Sequence, residues 1–179
     1  HGIHVTVIDD TPEPYTPDSI FPNNWVSFHD DGTVVLYPMF AENRRAERKQ
    51  HVLDNIFRHF EKHRLIDLTG AEAEHLFLEG TGSMVLDRDN RIAYACLSPR
   101  TNKSLVDRFC QQMNFTAVTF FARDQQGQEI YHTNVMMCVA DQYVVICLAS
   151  ITDLAEQSAV LKAINDTHKK VIDISIEQM

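Results

Sequence analysis

The chain has 179 residues, of which 44% are hydrophobic and 23% are charged, and its formal net charge is -9. A chain of this length can bury the core of one domain, and this composition argues against a mainly disordered protein. The acidic balance argues against nucleic acid and anionic membranes as partners, which need clustered lysine and arginine, and no apolar run reaches the roughly 20 residues of a membrane-spanning helix.

The two ends of the chain have the pattern of interrupted elements. The first residues, HGIHVTVIDD, begin without methionine and are typical of a turn followed by a strand already under way. The last residues, SIEQM, stop where another element is expected. The sequence therefore predicts that residues 1–179 are a fragment of a longer protein.

Three segments of the chain repeat one order of elements: strand, tight turn, strand, helix, strand. They span residues 18–68, 76–121 and 130–175. The turns lie between paired apolar runs: HDDG between FPNNWVSF and TVVLYPM, DRDN between LEGTGSMVL and RIAYACL, and ADQ between YHTNVMMCV and YVVICLAS. HDDG and DRDN are strong hairpin signals because Asp, Asn and Gly tolerate the backbone angles of tight turns.

Each repeat also contains a predicted helix. In the first, Val52, Ile56 and Phe60 recur at helical spacing on one face of a charged segment that runs from residue 43 to 63. In the third, Thr152 or Asp153 is suited to cap the helix, with a glutamate in the capping-box position. The sequence thus predicts three modules rather than an irregular chain.

A repeat period of about fifty residues is typical of propellers and solenoids. A strand-strand-helix-strand unit repeated about an axis forms an α/β propeller, and we expect a single domain of this class that is incomplete in this chain. The alternative is an ordinary α+β sandwich whose hairpins resemble one another by chance. An incomplete propeller exposes sheet edges, so we also expect further residues or self-association into a homo-oligomer.

When the modules are aligned on their hairpin turns, Phe21, Glu79 and His132 fall at equivalent positions before the first strand of each module. In a propeller, such positions converge near the central axis. A carboxylate and an imidazole would then face one cavity, which is the arrangement required for general acid–base catalysis on a substrate. Taken singly, a glutamate is usually a solvated surface charge, and a histidine is usually satisfied by a backbone carbonyl.

The motifs around these residues resemble a known superfamily. LEGTGSMVLDR, LSPRTN and YHTN resemble the pentein superfamily of guanidine-modifying enzymes, which includes arginine deiminases, dimethylarginine hydrolases and amidinotransferases. DSIFPNNWVSFHDDG, LYPMFAENRRAER and YHTNVMM are most similar to its citrulline-utilisation hydrolase branch, often called amidinotransferase. The resemblance covers nearly the whole chain in the right order, and it implies a pentein α/β propeller.

The resemblance also implies roles for individual residues. Glu79 would grip the guanidinium and orient the histidine, and His132 would be the general acid and base. Asp18 would meet the substrate α-amino group, while Arg44 and Arg100 would hold the substrate carboxylate. A fork of donors suits a carboxylate, and acids suit an amidinium. Neither a metal nor an organic cofactor is needed for this chemistry.

Two positions depart from the pattern of the superfamily. Asn24 stands where deiminases and dimethylarginine hydrolases have an acid. An amide cannot pair ionically with a guanidinium but can both donate to and accept from a neutral ureido group, which favours a citrulline-like substrate. The second departure is the absence of the superfamily's nucleophilic cysteine from a Gly-rich segment near the end of the chain.

The chain has four cysteines: Cys96, Cys110, Cys138 and Cys147. Three of them lie in the apolar runs YACL, MMCV and VICL, which is typical of buried thiols in a reducing compartment and predicts a cytoplasmic protein. Cys147, in the middle of a strand pattern, is interpreted as a packed thiol rather than the nucleophile. We therefore expect the catalytic cysteine outside this chain.

The sequence thus predicts a hydrolase that acts on the guanidino or ureido C–N bond of an arginine- or citrulline-like amino acid. Two alternatives stay open: an amidinotransferase that resolves the same adduct with an amine, and a non-catalytic pentein that serves as a binding module. His59 and His63 stand one helical turn apart but do not reproduce the HExxH order, so no metal site is predicted.

Overall fold

The computed structural model describes residues 2, 5–58, 60–61 and 64–179, so that His59 and His63 lie outside the described residues. The strands of the described part are β1 (Val26–Phe28), β2 (Thr33–Leu36), β3 (Arg64–Asp67), β4 (Met84–Asp87), β5 (Ile92–Cys96), β6 (Thr116–Phe120), β7 (Met137–Val139), β8 (Tyr143–Ile146) and β9 (Lys170–Asp173). The α-helices are α1 (Glu42–Arg45), α2 (Gln50–Phe57), α3 (Gly80–Ser83), α4 (Lys103–Met113) and α5 (Leu154–Asp166). Short 3-10 helices lie at Pro22–Asn24, Thr69–Glu74, Thr133–Val135, Leu148–Ser150 and Ile176–Gln178.

The strands form three sheets with one shared topology, in the orders β1-β2-β3, β4-β5-β6 and β7-β8-β9. In each sheet the first two strands form an antiparallel hairpin, and the third pairs parallel with the second after a crossover. The prediction of an α/β fold built from repeated strand-strand-helix-strand modules is confirmed. The three sheets of the described residues do not close into a barrel.

The caps of the two longer helices come from side chains that the sequence supplies at the right position. Asn102 accepts a hydrogen bond from the backbone N–H of Ser104 at the start of α4. Asp153 accepts hydrogen bonds from the backbone N–H groups of residues 155 and 156 at the start of α5. Glu156 does occupy the capping-box position, but its side chain instead accepts from the Phe121 N–H, which ties α5 to the end of β6.

The predicted helix of the first module differs from the observed one. The segment from residue 43 to 63 contains two short helices, α1 and α2, because Lys49 takes an extended backbone conformation between them. Its amine binds the Asp10 carboxylate at 2.6 Å as well as backbone carbonyls of the preceding loop. The apolar face at Val52 and Phe60 still packs on the first sheet, and the Phe28 and Phe60 ring centroids lie 5.0 Å apart.

The main cores lie where a helix fills the space between two sheets. Helix α4 buries Leu105, Val106 and Phe109 against both its own sheet and the sheet of the preceding module. Helix α5 repeats this arrangement one module later, with Val160 and Ile164 against the second and third sheets. Burial of these apolar side chains is the main favourable term that holds neighbouring modules together. Among the described residues, no helix is both long enough and apolar enough to cross a membrane.

Candidate active site

The residues aligned by the repeat occupy matching places in the structure. Phe21, Glu79 and His132 each directly precede one helical turn, and that turn leads into the first strand of its own sheet. The three turns are Pro22–Asn24, α3 and Thr133–Val135. Helix α3 packs against both of the other turns. The repeat therefore brings together Glu79 and His132, which are distant in the sequence.

Glu79 and His132 form a buried pair. Nε2 of His132 lies 2.6 Å from Oε2 of Glu79, whose side chain is 0% exposed. The other oxygen of Glu79 accepts from the Phe40 N–H at 3.0 Å. Burial raises the pKa of the Glu79 carboxyl, but the hydrogen bond and charge of His132, the Phe40 N–H and the charge of Arg100 outweigh it and leave the pKa below its usual value. Because an ionised carboxylate only accepts hydrogen bonds, Nε2 of His132 carries the proton.

Two hydroxyl groups fix the backbone on either side of this pair. Ser83 Oγ accepts from the Glu79 N–H and donates to the carbonyl of Arg100, both at 2.8 Å. Thr133 Oγ1 donates to the Ser83 carbonyl and accepts from the Cys96 N–H. Sequence analysis missed both residues. Their positions four residues after Glu79 and one residue after His132, within the repeated turns, are the only sequence signal that marks them.

Gly82 provides the space in which two site side chains meet. A Cβ at this position would lie 2.9 Å from both Nδ1 and Cε1 of His132, and it would also clash with Nδ2 of Asn24. Such separations are shorter than real Cβ contacts, so only glycine lets the imidazole and the amide approach the same point on α3. The His132 ring and the Asn24 amide therefore border one small volume.

Asn24 is buried at the end of the Pro22–Asn24 turn, and its side chain is held by Arg44. Arg44 Nη1 donates to Asn24 Oδ1 at 3.0 Å, while Nε and Nη2 donate to the two carboxylate oxygens of Glu47 at 2.8 and 2.9 Å. Nη2 also donates to the carbonyls of Asp18 and Phe21. In this structure Arg44 thus contacts other protein groups with most of its donors, and its predicted role as a ligand of the substrate carboxylate stays a prediction.

Arg100 is placed differently, with its side chain 32% exposed and its Nη1 3.4 Å from Oε2 of Glu79. Its guanidinium carbon lies 5.5 Å from the centroid of the Phe40 ring and 4.9 Å from that of Tyr131. These two cation–π contacts help to hold the guanidinium next to the pair, where it stays partly open to solvent. Sequence analysis missed these two aromatic residues, although Tyr131 directly precedes His132.

Asp18 lies in the loop before the Pro22–Asn24 turn, and its half-buried side chain is close enough for its charge to raise the pKa of Arg44. Glu79, His132 and Arg100 are in direct contact, whereas Asp18 and Asn24 join the site through Arg44 and Gly82. The structure thus gathers the predicted residues into one region, and their individual roles stay predictions.

Three of the four cysteines, Cys96, Cys110 and Cys147, are buried, and burial disfavours the thiolate of Cys96 and Cys110. Burial raises the pKa of the Cys96 thiol to about 12 and that of the Cys110 thiol to about 11. Cys147 is fully buried in the core beside α5, and Cys138 is exposed on β7. Within the described part of the chain, no group of three or more His, Cys, Asp and Glu side chains could hold a metal ion.

Comparison with protein families gives a match over the full chain. The family described as "N,N dimethylarginine dimethylhydrolase, eukaryotic" matches residues 1–179. The chain belongs to this family. The dimethylarginine dimethylhydrolase family is a member of the pentein superfamily, so the resemblance at the superfamily level is confirmed. Comparison with curated protein sequences gives no significant match.

Solved structures share the fold of this member of the dimethylarginine dimethylhydrolase family. The substrate-bound N-terminal domain of ArgZ, a cyanobacterial arginine dihydrolase, matches with a TM-score of 0.66 and 18% identity over 88% of this chain and 54% of that one. Unliganded AgrE matches with a TM-score of 0.71 and 19% identity over 93% of this chain and 23% of that one. A dimethylarginine dimethylaminohydrolase adduct matches with a TM-score of 0.50 and 12% identity over 91% and 73% of the two chains. The chain therefore spans about half of the ArgZ domain, and these likenesses show the fold.

Proposed function

We propose that the protein containing this chain hydrolyses the guanidino or ureido C–N bond of an arginine- or citrulline-like amino acid. The observation that carries this proposal is the buried contact of 2.6 Å between Nε2 of His132 and Oε2 of Glu79. It joins an acid–base group to an ionised carboxylate beside a partly exposed arginine. Membership of the dimethylarginine dimethylhydrolase family supports this class of reaction.

The proposed reaction passes through a covalent thiol adduct. A cysteine thiolate adds to the planar carbon of the substrate, and His132 gives a proton to the nitrogen that leaves as an amine or ammonia. His132 then takes a proton from water, which attacks the adduct and releases the thiolate. Glu79 stabilises the positive charge on the imidazole during both steps and, with a guanidino substrate, also the charge on the substrate nitrogens.

The thiolate in this proposal comes from a cysteine that is not among residues 1–179. Cys96 and Cys110 have raised pKa values, and Cys147 is packed in a core. A buried thiol of this kind is a poor nucleophile because only the thiolate attacks. The three buried cysteines are therefore assigned no catalytic role, and the exposed Cys138 does not lie in the Gly-rich segment in which the superfamily has its nucleophile.

The rest of the site suits the α-carboxylate and α-amino groups of an amino acid. Arg100 has a partly exposed guanidinium in contact with two aromatic rings, and its donors suit a carboxylate. Asp18 is the acid proposed to meet the α-amino group. Asn24 provides an amide where the superfamily more often has an acid, which favours a neutral ureido group over a guanidinium.

The test uses the full-length protein that contains this chain. Release of ammonia or amine from arginine, methylated arginines and citrulline is measured for the wild type and for the Glu79→Gln and His132→Ala variants. Loss of a positioned acid–base group typically lowers the rate by roughly 10²–10⁴-fold, so both variants should fall at least a hundredfold in kcat/KM. Glu74→Gln and His51→Ala change the same residue types at positions away from the site and should keep wild-type rates.

Different outcomes separate the proposal from its alternatives. If the release of ammonia or amine from the substrate requires an added amine acceptor such as glycine, the protein is a transferase instead of a hydrolase. Full activity after His132→Ala would remove the acid–base assignment. A wild-type protein that binds these amino acids, as measured by calorimetry, and turns none of them over would be a binding module.

A further inference from the structure

The guanidinium of Arg100 has few polar partners in the protein. Among the residues that the structure describes, its one hydrogen bond runs from Nη1 to Oε2 of Glu79, at 3.4 Å. Arg44 differs, because its guanidinium donates to Glu47, to Asn24 and to two backbone carbonyls. A guanidinium carries five N–H groups, so most donors of Arg100 have no protein acceptor, and its side chain is 32% exposed. These donors are available to a ligand.

The backbone of Arg100 is tied to both halves of the site. The Ser83 hydroxyl accepts from the Glu79 N–H and donates to the Arg100 carbonyl. The Arg100 N–H donates to the Ser98 hydroxyl at 3.1 Å, and that hydroxyl donates to the carbonyl of Tyr131 at 2.9 Å. Tyr131 directly precedes the histidine of the pair. The starting point of the Arg100 side chain is therefore fixed relative to both members of the pair.

Two aromatic rings hold the other end of this side chain. The central carbon of the guanidinium lies over the Phe40 ring, 5.5 Å from its centroid, and over the Tyr131 ring, 4.9 Å from its centroid. An aromatic ring attracts the charge of a guanidinium and, unlike a carboxylate, offers no oxygen that would occupy the N–H groups. The rings therefore restrict the arginine and leave the donors that a carboxylate ligand needs.

The two rings differ in how they are held. The Phe40 N–H donates to Oε1 of Glu79 at 3.0 Å, and its ring packs edge-on against the Phe77 ring with centroids 5.2 Å apart. Tyr131 is 50% exposed, and its ring also lies 4.8 Å from the His132 ring. Because Tyr131 is half exposed, a change of its side chain removes the contact with the guanidinium at a small cost in buried surface.

We propose that Tyr131 is a positioning residue which, with Phe40, holds the Arg100 guanidinium ready for the α-carboxylate of the substrate and so selects substrates that carry this carboxylate. The inference rests on the proposed function, because it concerns the substrate of the same site. An arginine loses rotamer freedom when it binds a ligand, and an arginine that is already held loses less. A substrate without a carboxylate gains nothing from this positioning, so the two kinds of substrate respond differently to loss of the ring.

The experiment measures kcat/KM in the full-length protein for an amino acid that the wild type turns over and for the same molecule without its α-carboxylate, such as L-arginine and agmatine. A cation–π contact at a partly exposed site corresponds to roughly a two- to fivefold change in affinity, and the ordering of an arginine to roughly a further two- to tenfold change. In Tyr131→Leu the ratio of the two kcat/KM values should therefore fall roughly four- to fiftyfold, mainly through the KM of the amino acid. Tyr131→Phe keeps the ring and should keep the wild-type ratio.

Two further variants complete the comparison. Tyr143→Leu makes the same change at a tyrosine on β8 that is 44% exposed and whose ring contacts no arginine among the described residues, and it should keep the wild-type ratio. Phe40→Leu removes the other ring but keeps the backbone N–H that Glu79 accepts, and it should lower the ratio as Tyr131→Leu does. Circular dichroism shows whether each variant is folded.

The position of Arg100 is also measured without substrate, by NMR. Because the guanidinium lies over the Tyr131 ring, the ring current should shift the side-chain proton resonances of Arg100 upfield. This shift should be lost in Tyr131→Leu and kept in Tyr131→Phe.

A folded Tyr131→Leu variant with unchanged Arg100 resonances, or with an unchanged substrate ratio, would overturn the inference. An equal fall in kcat/KM for both substrates would also overturn it, because Tyr131 would then act on His132 instead of Arg100. A wild-type protein that turns over none of these molecules would refute the proposed function, and the Arg100 resonances would then decide the positioning by themselves.

Discussion

Replacement of Gly82 by alanine tests whether the site needs a residue without a Cβ at this position. The new Cβ would lie 2.9 Å from two ring atoms of His132 and would clash with the Asn24 amide. Gly82 has no left-handed backbone angle that would strain an alanine, so the expected effect is the clash alone. Overpacking of a filled interior typically costs about 1–3 kcal/mol.

Gly70 gives the matched control for this change. A Cβ there meets nothing within 4 Å, and its backbone is also outside the left-handed region. Alanine at Gly70 should stabilise the protein by about 0.4–1 kcal/mol, because it restricts the unfolded chain. With the same entropic gain set against the clash, the net loss of stability in Gly82→Ala should be about 1.3 kcal/mol at the middle of these ranges and at most about 2.6 kcal/mol. For a chain of this size the middle value corresponds to a fall in Tm of roughly 3–5 °C.

The activity of the two variants separates a structural effect from an effect on the site. Displacement of the His132 ring from Glu79 by a fraction of an ångström should lower kcat of the full-length protein by up to about a hundredfold. Thermal unfolding followed by circular dichroism and the substrate assay are run on Gly82→Ala and Gly70→Ala in parallel. If Gly82→Ala is as stable and as active as Gly70→Ala, the close approach around Gly82 does not exist in solution.

Three further predictions concern stability. Burial and the charge of Arg88 lower the pKa of His29 to about 4 from an ordinary 6.5. The unfolded chain therefore takes up a proton at His29 first, and the free energy of unfolding should fall by about 3 kcal/mol as pH drops from 6.5 to 4. In urea unfolding at several pH values, the free energy of unfolding should depend less on pH in His29→Gln than in the wild type. The pKa of Glu79 is lowered in the folded protein, as expected for a paired carboxylate. Its contribution to stability is present above the ordinary pKa of 4.5 and is lost as pH falls through the folded pKa. Glu79→Gln should remove this loss of stability at acidic pH. Phe109→Ala, at a site that is 0% exposed between the first two sheets, should cost about 3–5 kcal/mol in the same urea assay, and a cost below 1 kcal/mol would show that α4 does not fill this space.

The sequence predicted the repeated modules because each signal that defines them is local. Tight turns depend on Asp, Asn and Gly at fixed positions, and strands and helices differ in the period of their apolar residues. The alignment of turns then placed Glu79 and His132 at matching positions, and the structure brings them within 2.6 Å. The break between α1 and α2 was missed, because it depends on Lys49 binding to a loop that is distant in the sequence.

The sequence by itself thus determined the order of elements, the three modules and the residue types that gather at the site. Only the tertiary structure decided how those residues act on one another. The tertiary structure alone shows that Arg44 pairs with Glu47 and donates to the Asn24 amide oxygen, and that the Arg100 guanidinium contacts the rings of Phe40 and Tyr131. Local patterns are set by neighbours along the chain, whereas a hydrogen bond between side chains depends on the packing of separate modules, which no local pattern encodes.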